Sequence, residues 1–160
     1  MAVNVCPADR VQAPVEVVWE LLMHPAGYGG FWDMTVERVE PEGPAAVGQR
    51  FFAWTLCRRL RIDGEILEVD PVGHAIRFRT TLPFGLVGNN RIACSPIDAG
   101  SCMLRYGCGF SFPPGWRGRL LNRLPGRVHD SVADSLQRLK RAAEVRARQA
   151  EIGKADDGAA

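Results

Sequence analysis

Six extended runs joined by short links occupy the middle of this chain and constrain its fold more than any other feature. They cover approximately residues 35–40, 49–57, 59–69, 74–81, 89–96 and 101–112. Turn sequences such as PEGP, DPVG, LPFG and DAGS separate them. Because a parallel crossover needs about a dozen or more residues, links of this length favour antiparallel neighbours. The chain is therefore predicted to form an antiparallel sheet.

The run from Ser101 to Phe112 shows the clearest strand alternation. Successive side chains of a strand point to opposite faces of the sheet, so residues two apart share a face. One face would carry Cys102, Leu104, Tyr106, Cys108, Phe110 and Phe112, and the other Met103, Arg105, Gly107, Gly109 and Ser111. The first face is predicted to be buried, and the second to be wet or closely approached.

The N-terminal part predicts a strand followed by short helical segments. Residues 3–12 indicate a strand with an irregularity at Pro7, which suits an edge position. After Pro14, the sequence VEVVWELLMH has apolar residues at helical spacing, and proline is favoured in the first helical turn. His24-Pro25 ends this helix, because proline cannot continue its hydrogen bonds. The following AGYGGFWDM is predicted to be a loop or a second short helix.

The C-terminal part returns to helical periodicity over a length that can cross a whole domain. Apolar residues recur at steps of three and four at Leu121, Leu124, Val128, Val132, Leu136, Leu139 and Ala143. Pro125-Gly126 is predicted to divide a short lead-in helix from a main helix that runs from about Arg127 to Arg148. Residues 149–160 are small or charged without apolar periodicity, which predicts a flexible tail.

These segments predict a single α+β domain over residues 1–148. A chain of 160 residues is long enough for one full hydrophobic core. A twisted antiparallel sheet must cover its apolar face, and only the final helix is long enough to do this. The predicted architecture is a seven-stranded curved antiparallel sheet around a long C-terminal helix, with two short helices after strand 1.

Composition and charge argue against several classes of protein. The net charge of +2 is too small to indicate a polyanionic partner, and the basic stretch lacks interleaved aromatic residues, so no nucleic acid is expected. No apolar run is long enough to span a membrane, and the N-terminus lacks signal-peptide features, which predicts a cytoplasmic location. The five scattered cysteines are interpreted as small buried residues rather than as a disulfide framework.

Motifs for metals and cofactors are not found in the sequence. The three histidines, His24, His74 and His129, fall in three separate elements, so no metal site is predicted. The sequence also has no G-x-S-x-G elbow, Walker loop or dinucleotide-type glycine unit. No cofactor is therefore expected.

Three structural motifs carry a resemblance to a known family. They are A-P-V-E-V-V-W-E-L-L at Ala13–Leu22, V-G-Q-R at Val47–Arg50 and E-V-D-P at Glu68–Pro71. With them the chain resembles the START-like, or Bet v 1-like, superfamily (SRPBCC), and within it the bacterial polyketide cyclase/dehydrase-type proteins. The resemblance covers about residues 3–148. It implies a helix-grip fold whose sheet and C-terminal helix enclose a cavity for lipids, sterols, polyketides or aromatic metabolites.

Two residues are candidates for catalysis in such a cavity. Cyclisation of a poly-β-keto chain needs enol stabilisation and proton transfer, which tyrosine and histidine can provide in a dry site. Tyr106 lies in the middle of the buried face of the last strand, either as a core tyrosine bonded to a neighbour or as a ligand contact. His129 lies near the start of the main helix, either on its surface or at the cavity mouth.

The predicted ligand-binding set comes from the apolar faces of the strands and the main helix. It comprises Trp32, Phe78, Asn90, Ile92, Leu104, Tyr106, Phe110, Val132 and Leu136. Asn90 is expected to point inward because it shares a face with Ile92 and Cys94, which leaves Arg91 outside. The pattern allows either an open cavity or one filled by Phe110, Phe112 and Leu136, and both alternatives stay open.

Aromatic residues next to glycines, and aromatic doublets in the strands, allow further roles. Tyr28, Phe31 and Trp32 could form a lid over the cavity, with neighbouring glycines as hinges, or an aromatic mini-core beneath a loop. Phe51-Phe52 must place aromatic rings on both faces of the sheet, and an exposed face of this kind could mark a dimer contact.

Three functional hypotheses follow. The first is an enzyme or binding protein of the polyketide cyclase/dehydrase or aromatase type, and the second is a non-catalytic lipid or metabolite carrier. The third is an interaction module, because residues 117–148 contain nine basic and three acidic side chains. This basic stretch could contact a membrane surface, an acyl carrier protein or RNA, or could simply be solvated. The polarity of the cavity distinguishes a catalyst from a carrier.

Overall fold

The structure is a computed structural model that describes residues 2–55, 60–111 and 125–157. Within these ranges, the side chains of residues 2, 3, 84, 125–129 and 154–157 lie outside the description. The predicted lead-in helix before Pro125 and the predicted inward position of Phe112 therefore lie outside the described residues. No helix in the described ranges is long and apolar enough to cross a bilayer.

One antiparallel sheet forms the framework of the described chain. Its strands are β1 (Ala2–Val5), β2 (Ala8–Val11), β3 (Thr35–Glu40), β4 (Arg50–Thr55), β5 (Leu60–Asp70), β6 (Ala75–Leu82), β7 (Leu86–Asp98) and β8 (Ser101–Ser111). The strand order is β1-β8-β7-β6-β5-β4-β3, and β2 also pairs with β8. β1 and β2 are the two halves of the predicted first strand, so the seven-stranded antiparallel sheet is confirmed.

The first strand is interrupted at the predicted position. Proline has no N–H group and cannot donate to a neighbouring strand. The carbonyl oxygen of Pro7 nevertheless accepts a hydrogen bond of 3.0 Å from the Tyr106 backbone N–H. The register continues across the interruption, with Val5 opposite Cys108 and Ala8 opposite Arg105. The irregularity thus leaves the alignment of this edge with β8 intact.

Two short helices follow the first strand, as predicted. Helix α1 (Val15–Leu22) begins directly after Pro14 and buries Val15, Val18 and Leu22. A 3₁₀ helix (Pro25–Gly30) follows it, which resolves the alternative between a loop and a second helix. Both helices close one end of the sheet, where α1 contacts β7 and the 3₁₀ helix contacts β3.

Helix α2 (Pro125–Asp157) packs against the inner face of the sheet and contacts α1 and β8. Its buried residues include Val132, Leu136, Leu139 and Ala143, all members of the predicted stripe. The predicted helix end near Arg148 has to be corrected, because the helix continues to Asp157. Alanine, glutamate and lysine are strong helix formers, and they make up four of the eight residues from Ala150 to Asp157. The domain boundary itself stays a prediction.

The two faces of β4 carry the two rings of the Phe51-Phe52 doublet. Phe51 is fully buried on the inner face. Phe52 lies on the outer face but is only 5% exposed. Three guanidinium groups cover its ring at 4.3, 5.1 and 5.5 Å from the centroid, those of Arg38, Arg50 and Arg61. Cations over an aromatic face are attracted to it, so Phe52 is not an exposed apolar contact.

Candidate ligand-binding cavity

A cavity of about 430 Å³ lies between the inner face of the sheet and helix α2. The described residues that line it are Trp32, Asp33, Met34, Thr55, Leu60, Ile62, Phe78, Thr80, Leu82, Leu86, Asn90, Tyr106, Cys108, Phe110, Ser131, Val132 and Ser135. Most of these side chains are apolar. The described part of the chain therefore leaves the cavity open, although Phe110 was a candidate for filling it.

Strand alternation brings the lining residues to one face. In β6, Phe78, Thr80 and Leu82 point inward, while Arg77 and Arg79 are exposed on the outer face. The same period places Asn90 inward, with only 4% of its surface exposed, and Arg91 outward. The predicted orientation of these two β7 residues is confirmed.

A chain of hydrogen bonds joins three lining side chains from three neighbouring strands. The Tyr106 hydroxyl donates to Asn90 Oδ1 at 3.2 Å, and Asn90 Nδ2 donates to Thr80 Oγ1 at 3.2 Å. Thr80 Oγ1 in turn donates to the backbone carbonyl of Gly88 at 3.4 Å. We call Tyr106, Asn90 and Thr80 the hydrogen-bond relay. It is a compact polar group within an apolar cavity.

Burial keeps the ionisable groups of the cavity interior neutral. Loss of solvation, with a smaller contribution from Cys108, raises the pKa of Tyr106 well above its ordinary value. A hydrogen bond from the Trp32 side chain opposes this rise only in part. Loss of solvation also raises the pKa of the Cys108 thiol to about 12. Both groups therefore carry their protons near neutral pH.

The structure describes the side chain of only one of the two candidate catalytic residues, Tyr106 and His129. Tyr106 lines the cavity and is also bonded to a neighbour, so the two interpretations of this residue hold together. His129 belongs to helix α2, but its side chain lies outside the described residues. Whether either residue takes part in a reaction stays a prediction.

Six of the predicted ligand-binding residues line the cavity: Trp32, Phe78, Asn90, Tyr106, Phe110 and Val132. Their contact with a ligand stays a prediction. Ile92, Leu104 and Leu136 are at most 2% exposed and are not among the described lining residues, and their contact with a ligand also stays a prediction. They share the inward face, but they belong to the closely packed core, where α1 and α2 contact each other and the sheet.

Several lining residues were missed from the sequence. The alternation of Ile76, Phe78, Thr80 and Leu82 between exposed arginines is a signal that could have found Thr80. Cys108 was placed on the inward face but was interpreted only as a core residue. Asp33, Ser131 and Ser135 had no comparable signal, because their position depends on where the 3₁₀ segment and α2 meet the sheet.

Tyr28, Phe31 and Trp32 form an aromatic mini-core in the structure. All three are buried, and Tyr28 packs against Phe51 and Phe78 with ring centroids 5.7 and 6.3 Å apart. The Tyr28 hydroxyl donates to the Leu22 carbonyl at 2.8 Å. Trp32 extends from this cluster to the cavity wall. The mini-core alternative, rather than the lid, describes their arrangement.

The rim of the cavity is more polar than its interior. Asp33, Ser131 and Ser135 also border a neighbouring cleft of about 210 Å³ that contains Asp134 and Arg138. The Ser135 hydroxyl donates to the Ser131 carbonyl at 2.8 Å, a bond within the helix. Asp33 is the one acidic or basic residue among the described side chains that line the main cavity.

The cysteines and other potential metal ligands do not converge within the described residues. Cys94, Cys102 and Cys108 are buried, as predicted, whereas Cys6 is exposed because it lies in the interruption between β1 and β2. Cys57 lies outside the described residues. No group of three or more histidine, cysteine or acidic side chains in the described ranges could hold a metal ion.

Solved structures with the same fold span almost the whole chain. The Zhui aromatase/cyclase from Streptomyces sp. R1128 is 20% identical, with a TM-score of 0.75 over 91% of this chain and 96% of that one. A protein of Thermus thermophilus is 18% identical, with a TM-score of 0.69 over 90% and 99%. Norcoclaurine synthase from Thalictrum flavum, in complex with dopamine and hydroxybenzaldehyde, is 15% identical, with a TM-score of 0.60 over 87% and 86%. These similarities establish the helix-grip fold.

Sequence comparison identifies the family. A search among curated protein sequences gives no match. The family model described as polyketide cyclase/dehydrase and lipid transport, in contrast, matches residues 8–144. This range includes nearly every element of the described fold, from β2 to most of α2. The chain therefore belongs to the polyketide cyclase/dehydrase and lipid transport family.

Proposed function

We propose that this protein binds a hydrophobic, ring-bearing small molecule, such as a polyketide or an aromatic metabolite, in the cavity between the sheet and α2. The observation that carries the proposal is the cavity of about 430 Å³ next to a closely packed core. Pockets for small molecules usually measure about 300–1,000 Å³. A protein that acted only through its surface would not need this space.

The chemistry of the lining supports a ligand with an apolar body and at least one polar group. Trp32, Phe78 and Phe110 offer aromatic surface, and planar rings stack or pack edge-on against such surfaces. Asn90 and Tyr106 provide hydrogen-bonding atoms in the same cavity. These atoms already bond to each other and to Thr80, and their oxygens keep further acceptor capacity that a polar group on the ligand can use.

The similar structures support the same class of ligand. One is an aromatase/cyclase, and another holds dopamine and hydroxybenzaldehyde, which both contain aromatic rings. Family membership adds polyketides and lipids to the range of ligands. The dimensions and aromatic lining of the present cavity favour a ring-bearing molecule over a long, flexible acyl chain.

A cyclase, dehydrase or aromatase activity is the finer form of this proposal. It would need groups that stabilise an enol and transfer protons. In the described lining, the relay can bind and orient a substrate, and Asp33 at the rim is the one residue with an acidic side chain. Proton transfer would therefore depend on Asp33 or on His129. Non-catalytic transport would need only the binding and orientation.

The basic character of α2 supports an interaction role less strongly. Lys140 forms an ion pair with Asp9 at 3.0 Å, and Arg146 forms one with Glu20. These two cations thus join α2 to β2 and α1 rather than facing a partner. A homodimer, a carrier-protein contact and the cytoplasmic location stay predictions.

Two tryptophan variants test whether the cavity is the binding site. Leu86 lines the cavity, whereas its neighbour Val87 points to the other face of β7. Leu86→Trp should fill the cavity and weaken binding of 2-naphthol by at least about tenfold, as measured by isothermal titration calorimetry. Val87→Trp is the matched control and should bind the probe like the wild type.

The results separate the alternatives. Equal binding by the wild type and both variants would place the probe outside the cavity and contradict the proposal. Native mass spectrometry of the protein from its own host provides an independent measurement, since a bound hydrophobic molecule would support the proposal. An empty protein whose melting temperature does not respond to polyketide, lipid or aromatic compounds would favour the interaction role instead.

A further inference from the structure

The hydrogen-bond relay has a direction, and the backbone carbonyl of Gly88 sets it. A carbonyl oxygen only accepts hydrogen bonds. The Thr80 hydroxyl, 3.4 Å away, must therefore donate its single proton to Gly88. Thr80 and Gly88 are direct partners in the pairing of β6 and β7, so this contact is fixed by the sheet register.

The orientation of the Asn90 amide follows from this first bond. Because the Thr80 proton is engaged, Thr80 Oγ1 can only accept from Asn90, and the amide atom that faces it is the Nδ2 donor at 3.2 Å. The other amide atom, Oδ1, then faces the Tyr106 hydroxyl at 3.2 Å. An amide oxygen only accepts, so Tyr106 must donate its proton to Asn90.

Tyr106 consequently has no proton left for a ligand. Its oxygen accepts one hydrogen bond from the Trp32 side chain, and its second lone pair remains to accept a donor from the cavity. Resting on the proposed function, we propose that the cavity selects ligands that carry a hydrogen-bond donor, namely a phenol or an enol hydroxyl, over the corresponding ethers and ketones. The relay is thus a specificity determinant that recognises a hydroxyl group on a ring.

Burial supports the assigned role of Tyr106. Loss of solvation keeps its hydroxyl protonated, so the proton remains available to Asn90 over the physiological pH range. The neutral phenolic oxygen of Tyr106 can then accept a hydrogen bond from a hydroxyl group of the ligand without becoming ionised. This role differs from that of a general acid, which would have to deliver the same proton to a substrate carbonyl.

Gly88 leaves the space that the relay requires. A Cβ atom at this position would lie 2.5 Å from Thr80 Oγ1 and 3.4 Å from Asn90 Nδ2. The first distance is shorter than real Cβ contacts, so Thr80 would have to move. The Gly88 carbonyl is therefore the terminal acceptor of the relay, and the missing side chain of Gly88 leaves room for the Thr80 hydroxyl group.

A pair of probes that differ by one methyl group tests the inference. 2-Naphthol carries a donor, whereas 2-methoxynaphthalene has the same ring system and can only accept. Isothermal titration calorimetry should show that the wild type binds 2-naphthol about tenfold more tightly. The ratio of the two dissociation constants is then compared between variants, so that the contribution of the extra methyl group cancels.

Three variants locate the origin of that ratio. Thr80→Val removes the hydroxyl group that fixes the Asn90 amide, so the amide can turn and the Tyr106 proton can face the ligand. The preference for 2-naphthol should then fall to about twofold or less. Thr80→Ser restores the hydroxyl group and should restore the preference. Thr81→Val makes the same change on the exposed outer face of β6 and should leave the ratio unchanged.

The possible results distinguish this inference from the proposed function. If neither probe binds to the folded wild type, the proposed function fails. If both bind but the wild type shows no preference for 2-naphthol, only the donor selectivity fails. The decisive case is a Thr80→Val protein that melts like the wild type. If it keeps the full preference for 2-naphthol over 2-methoxynaphthalene, the relay does not set the direction of the Tyr106 proton, and the inference is overturned.

Discussion

Replacing Gly64 with alanine tests how tightly the aromatic core next to the cavity is packed. Gly64 lies opposite Phe51 in the pairing of β4 and β5. A Cβ atom on Gly64 would approach three carbon atoms of the Phe51 ring to well under 3.0 Å. The ring cannot easily move away, because it is fully buried and packs against Tyr28 and Phe78 with centroids 5.7 and 5.9 Å apart.

The magnitude follows from two opposing effects. Overpacking of a close-packed core costs about 1–3 kcal/mol. Alanine recovers about 0.5–1 kcal/mol, because glycine loses more backbone entropy on folding. With the middle of each range, Gly64→Ala should lower the free energy of unfolding by about 1 kcal/mol, and the melting temperature by about 2–4 °C.

Urea denaturation followed by circular dichroism and by tryptophan fluorescence measures this loss, and coincident curves justify two-state analysis. Gly30→Ala is the matched control. No atom lies within 4 Å of a Cβ placed there, so this variant should be neutral or gain up to about 1 kcal/mol. Combining Gly64→Ala with Phe51→Leu should show a smaller loss from the alanine, because the clashing ring is removed.

Two outcomes would refute the packing argument. One is a Gly64→Ala protein as stable as the wild type. The other is an equal loss from the alanine in the wild-type and Phe51→Leu backgrounds, since the two side chains would then be uncoupled. Either result would mean that the aromatic core is loose enough to accommodate a methyl group.

Two further predictions concern pH and the relay. Hydrogen bonds from Gln137 and Lys140 lower the pKa of Asp9 in the folded state, so its contribution to stability is present above the unfolded pKa and is lost as the pH falls through the lower folded value. Urea midpoints between about pH 5 and pH 2 should therefore decline more steeply for the wild type than for Asp9→Asn, and equal slopes would remove Asp9 as the cause. Gly88→Ala should displace the hydroxyl group at the end of the relay and reduce the preference for 2-naphthol over 2-methoxynaphthalene. Gly107→Ala, whose Cβ would meet only ordinary contacts at 3.7 Å or more, should keep it.

Local chemistry explains why so much of the fold could be predicted. The APVEVVWELL sequence has a proline where helix α1 begins, and the apolar spacing that buries Val15, Val18 and Leu22. The period of two in β8 identified the buried face that contains Tyr106 and Cys108. The C-terminal end of helix α2 was predicted too early. The helix was recognised by its apolar pattern, which stops before Gln149, whereas the residues that follow continue it through intrinsic helix propensity.

The sequence could not show which inward residues border the cavity. Asn90 and Ile92 share one face of β7, and both are buried, but only Asn90 lines the cavity. Likewise, Tyr106 and Leu104 share one face of β8, and only Tyr106 lines it. The difference arises along the strands, because α1 and α2 close over one part of the sheet and leave space at the other.

The sequence by itself determined the class of fold, the order of its elements and the inward faces of its strands, because strand and helix periods depend on neighbours in the chain. Only the tertiary structure decided where the cavity lies and that Tyr106, Asn90 and Thr80 form one directed relay. These three residues come from β8, β7 and β6 and meet through the register of the sheet. Such contacts between strands depend on alignment and packing across the whole domain, which no local pattern contains.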